Sequence, residues 1–381
     1  MAINNTRNPP PNWRRHLFVY VALFVLPTLN RAESLSQSLD STLAEVAREH
    51  DVCVVAVATI KNRVIEGTDL ATGCESAQLP DTPAVFEAAS LGKPVFAYGV
   101  VTLAEQGKLD LDAPLANYLP QGYAHVQNPF DDKSPPLTDL VTASELRTVT
   151  ARHILTHTSG LPNWSSESLA FDFSPGTRWQ YSGEGYVLLQ RAVEAITGVR
   201  LDQFMRVRVF EPLGMTHSDY IWNDRFKSNF VAGASSNELS NQSRHFRTPI
   251  AAATLYTTAA DYAKFMAAVL ADARIISATV DSPVSVDQSL GLDWGLGWGI
   301  ERGEGDRFIW HWGSNPGFRA FAMASVQSGD GVVILTNSEN GLALAEPIVN
   351  AALPGDHKVF KFYMLRDGLD RILCKTFRWC I

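Results

Sequence analysis

Ser90 and Lys93 are the residues of this sequence whose types and spacing best fit covalent chemistry. Side chains three residues apart share one face of a helical turn, so the hydroxyl and the amine can touch. A serine becomes a nucleophile when a neighbouring group takes its proton, and a desolvated lysine can do this. Pro94 fits the first turn of a helix, where the helix dipole favours developing negative charge. The spacing therefore predicts a serine nucleophile at a helix N-terminus.

Two later segments carry groups that acyl transfer needs. Residues 181–183 (Tyr-Ser-Gly) supply the Tyr181 phenol, which near two cations would have a lowered pKa and could pass a proton to or from a serine. Residues 311–314 (His-Trp-Gly-Ser) supply a glycine that would let backbone N–H groups approach a bound carbonyl oxygen. Each segment also has a purely structural interpretation, but their order after Ser90 favours catalysis.

Two other kinds of site fit parts of the sequence. Residues 88–92 (Ala-Ala-Ser-Leu-Gly) are one substitution from the nucleophile elbow of α/β-hydrolases, but the strand and helix alternation of that fold is missing. His153 and His157 are four residues apart and could face one side of a helix as zinc ligands. They lack the adjacent glutamate of H-E-x-x-H and a third ligand, so zinc is the weaker interpretation.

Composition excludes several classes of protein. The chain has 381 residues, of which 46% are hydrophobic and 19% charged, and this excludes wholesale disorder. The formal net charge of −8 disfavours a phosphate backbone as partner, so no nucleic-acid binding is predicted.

The first 32 residues are typical of a secretory signal peptide. Basic residues precede the apolar run 17–29, and Ala32 is a small residue at the expected cleavage point. The run is shorter than the roughly 20 residues that cross a bilayer, so export to the periplasm or the extracellular space is predicted. The alternative is a membrane anchor formed by an uncleaved signal. At the other end, residues 356–381 form an aromatic and basic tail that would dock on the protein or contact a membrane.

Export would place the four cysteines in an oxidising compartment. Cys53 lies in one apolar run, and Cys74 follows the return run. If these runs form a hairpin, the two thiols fall close together and can form a disulfide. Cys374 and Cys380 lie in the tail, where spacing does not require them to pair.

Hydrophobic periodicity gives a coarse order of elements. Helices are predicted at 35–50, 90–106, 184–197 and 262–270, and short strands at 294–300, 307–312, 319–326 and 331–337. The simplest architecture is an α/β domain formed by residues 33–108 and 255–355, with an inserted helical and loop domain at 109–254.

In this order the motifs resemble those of serine β-lactamase-related hydrolases of the class C type. That family includes class C β-lactamases, D-alanyl-D-alanine carboxypeptidases and family VIII carboxylesterases. The likeness extends from about Ala88 to Asn337. The segments that carry it are 90–94 (Ser-Leu-Gly-Lys-Pro), 103–120, 152–162, 181–183 where the family has Tyr-x-Asn, 255–261, and 311–313 where β-lactamases have Lys-Thr-Gly.

The resemblance implies a fold and a mechanism. The fold is β-lactamase/transpeptidase-like, α/β of the α+β type, with an antiparallel sheet flanked by helices and an inserted, mostly helical region. Ser90 would attack the substrate carbonyl, Lys93 would help to deprotonate it and hold Tyr181, and Tyr181 would shuttle the proton. The backbone N–H groups of Ser90 and Ser314 would form the oxyanion hole, and no cofactor or metal would be needed.

Two departures from the family pattern bear on the substrate. Gly183 replaces the asparagine that holds a β-lactam side chain, and His311 replaces a lysine that would face the substrate carboxylate. A neutral imidazole offers one hydrogen bond and only weak electrostatic attraction. The affinity for anionic β-lactams and peptide termini is therefore expected to be lower than with a lysine at this position. Arg319 would compensate if it faced the site. Trp312 and Gly313 complete the predicted substrate-binding set.

These departures favour an enzyme that cleaves esters or amides through a serine acyl-enzyme, with weak or narrow β-lactam activity, and a carboxylesterase is the first choice. The candidate substrates are small esters, β-lactams and D-amino-acid peptides. A true class C-like β-lactamase or D-alanyl-D-alanine carboxypeptidase is the first alternative, and a catalytically silent penicillin-binding-like scaffold is the second.

Overall fold

The largest element of the fold is an eight-stranded sheet in which every neighbouring pair of strands is antiparallel. In spatial order its strands are β2 (Val64–Thr72), β1 (Val54–Lys61), β12 (Gly331–Thr336), β11 (Phe318–Ser325), β10 (Arg307–Asn315), β9 (Gly299–Arg302), β8 (Leu292–Trp294) and β7 (Val284–Asp287). The nucleophile elbow of α/β-hydrolases belongs to a parallel sheet, so this topology excludes it.

The computed structural model describes residues 1–2, 43–75, 79–80, 83–130, 135–234 and 245–366. The predicted signal peptide lies almost entirely outside the described residues, as do Cys374, Cys380 and the end of the tail. No helix of the described ranges is both long and apolar enough to cross a membrane. The described residues from 43 onward belong to one compact unit, and the predicted division at 109 and 254 stays a prediction.

Two small antiparallel sheets and eight α-helices complete the fold of the described residues. The small sheets pair β3 (Phe86–Ala89) with β6 (Leu255–Thr257) and β4 (Tyr123–Val126) with β5 (Thr138–Val141). The α-helices are α1 (described over residues 43–49), α2 (Gly92–Glu105), α3 (Ala151–Leu155), α4 (Gly183–Thr197), α5 (Leu201–Met205), α6 (Ala259–Ala271), α7 (Ala273–Val280) and α8 (Ala345–Ala352). Short 3-10 turns lie at Leu115–Asn117, Glu145–Arg147, Asp224–Phe226, Gly341–Leu344, Lys358–Lys361 and Tyr363–Leu365, and one π-helical turn at Arg206–Phe210.

Both faces of the large sheet are covered by hydrophobic side chains. Along β1, Ala56 and Ala58 belong to one buried cluster, whereas Val55 and Val57 belong to the other. This alternation follows from the two-residue period of a strand. The first cluster includes residues of α2, α4 and α6, and the second includes residues of α8 and the segment 359–365. Helix α2, which follows the predicted nucleophile, is therefore packed into the protein core.

The helices predicted at 90–106, 184–197 and 262–270 are present with small changes at their ends. The helix predicted at 35–50 is confirmed over residues 43–49, and its first part lies outside the described residues. One predicted strand is wrong. Residues 294–300 are not a single strand, because the chain turns between β8 and β9 and pairs Trp294 with Gly299. Gly297 in that turn has a φ of +84°, a conformation that favours glycine. A Cβ at this position would lie 2.4 Å from the Cβ of Ala97, so the turn presses against α2.

Cys53 and Cys74 are joined by a disulfide at the open end of the β1–β2 hairpin. The two strands are connected by Asn62 and Arg63, which have φ values of +49° and +67°. Positive φ at both central residues is the geometry of a tight two-residue hairpin turn. The disulfide and the turn therefore close the two ends of the same hairpin.

Candidate active site

Ser90 lies where β3 passes into α2, two residues before the helix begins at Gly92. Ala89, immediately before it, has a φ of +50°, which is costly for a residue with a Cβ atom. Such strain persists where surrounding packing enforces it, and it is frequent at functional sites. Ser90 Oγ lies 3.0 Å from Lys93 Nζ and donates to the backbone oxygen of Ala252 at 3.2 Å.

Lys93 is completely buried, and its environment favours the neutral amine. Nζ donates to Ser90 Oγ and, at 2.8 Å, to the backbone oxygen of Ala252. No described carboxylate forms an ion pair with it; instead Nζ lies 4.7 Å from the ring centroid of Tyr181 and 5.6 Å from that of Tyr186. Burial therefore holds the pKa of Lys93 well below 10.5. An amine of this kind can accept the serine proton.

Tyr181 is buried beside this pair. Its ring packs against His157 and Trp312, with centroid distances of 4.4 and 4.9 Å. The phenol oxygen has no hydrogen-bond partner of good geometry among the described residues, although the Ser90 hydroxyl lies near enough to lower its pKa. Burial outweighs that contribution and raises the pKa of Tyr181 well above 10. The predicted lowering of the tyrosine pKa is therefore wrong, because desolvation dominates and keeps the phenol protonated.

His157 supports the tyrosine rather than facing the solvent. Its Nδ1 accepts the backbone N–H of Ser182 at 3.1 Å, so the neutral ring carries its proton on Nε2. Burial, with Lys93 nearby, holds the pKa of His157 well below 6.5. His153, the other half of the predicted zinc pair, is only half-buried and lies against Gly176. Among the described residues, no group of three His, Cys, Asp or Glu side chains could hold a metal ion.

His311 on β10 is completely buried, and its hydrogen bond identifies its tautomer. Nδ1 lies 2.7 Å from the backbone oxygen of Trp312, and only a protonated nitrogen can bond a carbonyl. Burial and the nearby Lys93 hold the pKa of His311 well below 6.5, so the ring is neutral and Nε2 carries a free lone pair. His311 therefore presents neither a positive charge nor a donor at Nε2, in contrast to the lysine of the β-lactamase pattern.

Gly313 lets β10 pass against the end of β3. A Cβ at this position would lie 2.2 Å from the backbone oxygen of Ala88, a distance that forbids any side chain. This close approach brings Ser314, the next residue, into the same cleft as Ser90. The predicted oxyanion pair, Ser90 and Ser314, thus lies on one cleft, and its role in binding an oxyanion stays a prediction.

The position of the family asparagine, Gly183, is closed to a side chain. A Cβ there would lie 2.6 Å from the backbone oxygen of Asn163 and 2.7 Å from the Trp164 ring. Asn163 also accepts the Gly183 backbone N–H at 3.0 Å through its side-chain oxygen. The loop residues 163–164 therefore occupy the space that an asparagine at position 183 would use.

Ser90, Tyr181 and Ser314 line a cleft of about 360 Å³, whereas Lys93, His311, Gly183 and Gly313 are not among the residues that line it. Its described walls are Ser90, Phe130, Asn163, Trp164, Tyr181, Phe246, Ala253, Trp312, Ser314, Asn315, Pro316 and Met364. Sequence analysis missed Asn163 and Trp164, although they directly follow the recognised block 152–162. It also missed Asn315, which donates to the buried Glu87 carboxylate at 2.8 Å and is thereby held in place.

Arg319 is not among the residues that line the described cleft. Its guanidinium donates at 3.0 Å to the backbone oxygens of Asn315, at the end of β10, and Phe318, at the start of β11. The compensation for the missing lysine that was expected of Arg319 therefore has no support from its position.

Comparisons with known proteins agree with this geometry. A model of the Beta-lactamase family matches residues 39–352. Penicillin-binding protein 4* of Bacillus subtilis (strain 168) is 26% identical over 71% of this chain and 64% of its own length. Esterase EstB of Burkholderia gladioli is 29% identical over 50% of this chain and 53% of its own length. The match to each of these two relatives spans less than two thirds of that relative's length.

Solved structures show the same fold. A class C beta-lactamase aligns with a TM-score of 0.65 and 18% identity, covering 87% of this chain and 99% of the other. At that identity the likeness establishes the fold alone. Together with the family match over most of the chain, it places this protein in the Beta-lactamase family of serine hydrolases.

Proposed function

We propose that this protein is a carboxylesterase that works through a Ser90 acyl-enzyme. The observation that carries the proposal is the 3.0 Å contact between Ser90 Oγ and a lysine amine whose pKa burial lowers. A neutral amine at that distance is a general base for the serine hydroxyl. The contact lies on a cleft large enough for a small ester.

In the proposed reaction Lys93 is the general base and Tyr181 is the general acid. Ser90 Oγ attacks the ester carbonyl while its proton passes to Lys93 Nζ, and the carbonyl oxygen becomes an oxyanion held by the N–H groups of Ser90 and Ser314. The tetrahedral intermediate then expels the alkoxide, which takes a proton from Tyr181, and the Lys93 ammonium restores that proton. Water next attacks the acyl-enzyme by the same steps in reverse, releasing the carboxylic acid and free Ser90.

The lining of the cleft favours esters over β-lactams and peptide termini. Its described walls include no lysine or arginine, and the buried His311 is neutral. A carboxylate next to the scissile bond would therefore lose its hydration without gaining a cationic partner. The walls are instead rich in aromatic rings, which suit uncharged substrates. Esterase EstB and a Penicillium rubens lovastatin esterase, 30% identical over 35% of this chain, are consistent with this choice.

A substrate panel tests the proposal. Purified protein should hydrolyse p-nitrophenyl butyrate with a much higher kcat/KM than nitrocefin or a D-alanyl-D-alanine peptide. Ser90→Ala should abolish ester turnover and should also abolish the mass increase that a fluorophosphonate probe gives the wild-type protein. Preferred hydrolysis of nitrocefin or the D-peptide would overturn the ester assignment, and the absence of any turnover and labelling would favour the silent scaffold.

We also propose that residues 1–32 direct export. The Cys53–Cys74 disulfide supports this, because such bonds persist in oxidising compartments. Expression of the full chain in a bacterial host, followed by N-terminal sequencing of the periplasmic protein, should give a start close to residue 33. Recovery of the uncleaved chain in the membrane fraction would support the anchor instead, and recovery in the cytoplasm would contradict export.

A further inference from the structure

A second cavity of about 300 Å³ adjoins the cleft that holds Ser90. The two cavities share Phe130 and Phe246 as walls, so the second cavity lies next to the first at these two rings. The second cavity differs in its polar groups, because its walls include His245, Arg247 and Thr248. None of these three residues lines the first cleft.

The segment that carries these polar groups is held in place by the surrounding structure. The His245 ring stacks on Trp222, with a centroid distance of 3.6 Å and an interplanar angle of 14°. The Phe246 backbone N–H donates to the Tyr256 hydroxyl at 3.1 Å, and its backbone oxygen accepts the Trp222 N–H at 2.7 Å. Arg247 therefore directly follows a residue whose backbone N–H and oxygen are both hydrogen-bonded, which limits the backbone entropy lost when a ligand binds.

The second cavity carries one guanidinium without an ion-pair partner among the described residues. Arg247 is exposed and forms no ion pair with any acidic residue that the structure describes, whereas Arg152 and Arg200 are each bonded to a carboxylate. Burial and Arg247 lower the pKa of His245, and the Asp224 carboxylate, which also accepts the Trp222 indole N–H, opposes that shift. A guanidinium, an imidazole and a hydroxyl on one wall are the donors that a carboxylate ligand requires.

We propose that this cavity is a subsite for a carboxylate at the far end of the substrate's carbon chain from the ester that Ser90 attacks. The proposal rests on the proposed esterase function and narrows its substrate class to monoesters of dicarboxylic acids and similar ω-anionic esters. The acyl chain crosses the aromatic cleft, where no cation is available, and its terminal charge reaches Arg247. Recognition of the charge is thereby separated from the scissile bond.

Paired substrates that differ in one group test this proposal. Mono-p-nitrophenyl pimelate carries a terminal carboxylate, and p-nitrophenyl heptanoate carries a methyl group at the same chain position. We expect Arg247→Gln to lower kcat/KM for the pimelate about tenfold, which corresponds to roughly 1.4 kcal/mol, and to leave the heptanoate unchanged. Arg247→Lys should retain part of the preference, and added NaCl should reduce it. Arg208→Gln, at another exposed arginine, is the matched control and should change neither value.

A binding measurement separates failure of the subsite from failure of the esterase proposal. Calorimetric titration of Ser90→Ala protein with mono-p-nitrophenyl pimelate reports affinity without turnover, and Arg247→Gln should weaken it about tenfold. If the wild-type protein cleaves neither ester but this binding difference appears, the esterase proposal fails and the anionic subsite stands. If both esters are cleaved and Arg247→Gln changes neither kinetics nor binding of the pimelate, the subsite is refuted.

Discussion

Replacement of Lys93 by methionine removes the amine while keeping a side chain of similar volume in a fully buried position. The amine now contacts Ser90 Oγ at 3.0 Å and the Ala252 backbone oxygen at 2.8 Å, and the substitution deletes both contacts. Loss of a general base typically costs 10²–10⁴-fold in rate, which is about 3–5 kcal/mol of transition-state stabilisation. We expect a fall in kcat for p-nitrophenyl butyrate within that range, with KM changed much less.

The direction in which kcat/KM changes with pH follows from the lowered pKa of Lys93. Burial lowers the pKa of Lys93, and the active form is the neutral amine. Wild-type kcat/KM should therefore fall as the pH decreases through this lowered pKa, and a plateau should extend on the alkaline side until Tyr181 ionises. The residual activity of Lys93→Met should lack the acid limb. Lys93→Arg should be equally slow, because a guanidinium does not give up its proton.

Lys93→Met should lower the reaction rate but raise the stability of the folded protein. Between the lowered pKa and 10.5 the unfolded chain binds the Lys93 proton and the folded chain does not, so wild-type stability rises with pH in that window. Lys93→Met should remove this slope and raise Tm at neutral pH. Lys108→Met, at an exposed lysine just beyond α2, is the control and should change neither property. Turnover of Lys93→Met within threefold of wild type would refute the assignment of Lys93 as base.

Three further predictions follow from close contacts and from the disulfide. Gly183→Asn should lower ester turnover and give no gain on nitrocefin, because its Cβ would lie 2.6 Å from the Asn163 backbone oxygen; a gain in nitrocefin kcat/KM would contradict this. Gly313→Ala should lower the free energy of unfolding by about 1–3 kcal/mol in urea titrations, because its Cβ would lie 2.2 Å from a β3 backbone oxygen; an unchanged midpoint would show that the strands do not approach so closely. Replacing Cys53 and Cys74 by serine should cost about 3 kcal/mol for a sequence separation of 21, and dithiothreitol should lower the wild-type midpoint equally; a midpoint insensitive to both changes would mean that the bond does not form in solution.

Local features of the site were predictable because neighbouring residues fix them. Ser90 and Lys93 are one helical turn apart, so the backbone geometry alone brings their side chains together, and the observed 3.0 Å contact follows from that spacing. The end of α4 at Gly198, with a φ of +71°, is equally local, since glycine favours this conformation. The strand at 294–300 was mispredicted because alternation along the sequence does not reveal a glycine turn inside it.

Electrostatic features of the site could not be predicted in this way. The pKa of Tyr181 depends on how completely the phenol is removed from water, and several segments distant in the sequence bury it. The tautomer of His311 depends on one hydrogen bond to its neighbour's backbone oxygen, which the strand geometry decides. The space beside Gly183 is taken by the 163–164 loop, a contact between segments twenty residues apart.

The amino-acid sequence by itself identified the candidate nucleophile, its lysine neighbour, the order of the family motifs and the hairpin cysteines, because each depends on spacing within a turn or on residue identity. The tertiary structure decided which groups are charged and where. It buried Lys93 against Ala252, a residue 159 positions away, and it left Arg247 on a separate cavity beyond the aromatic walls. The desolvation of a side chain and the lining of a cavity both depend on residues that are distant in the sequence and meet only in the folded protein. They determine the pKa values and the substrate contacts around Ser90 and Lys93, a pair that local geometry already brings together.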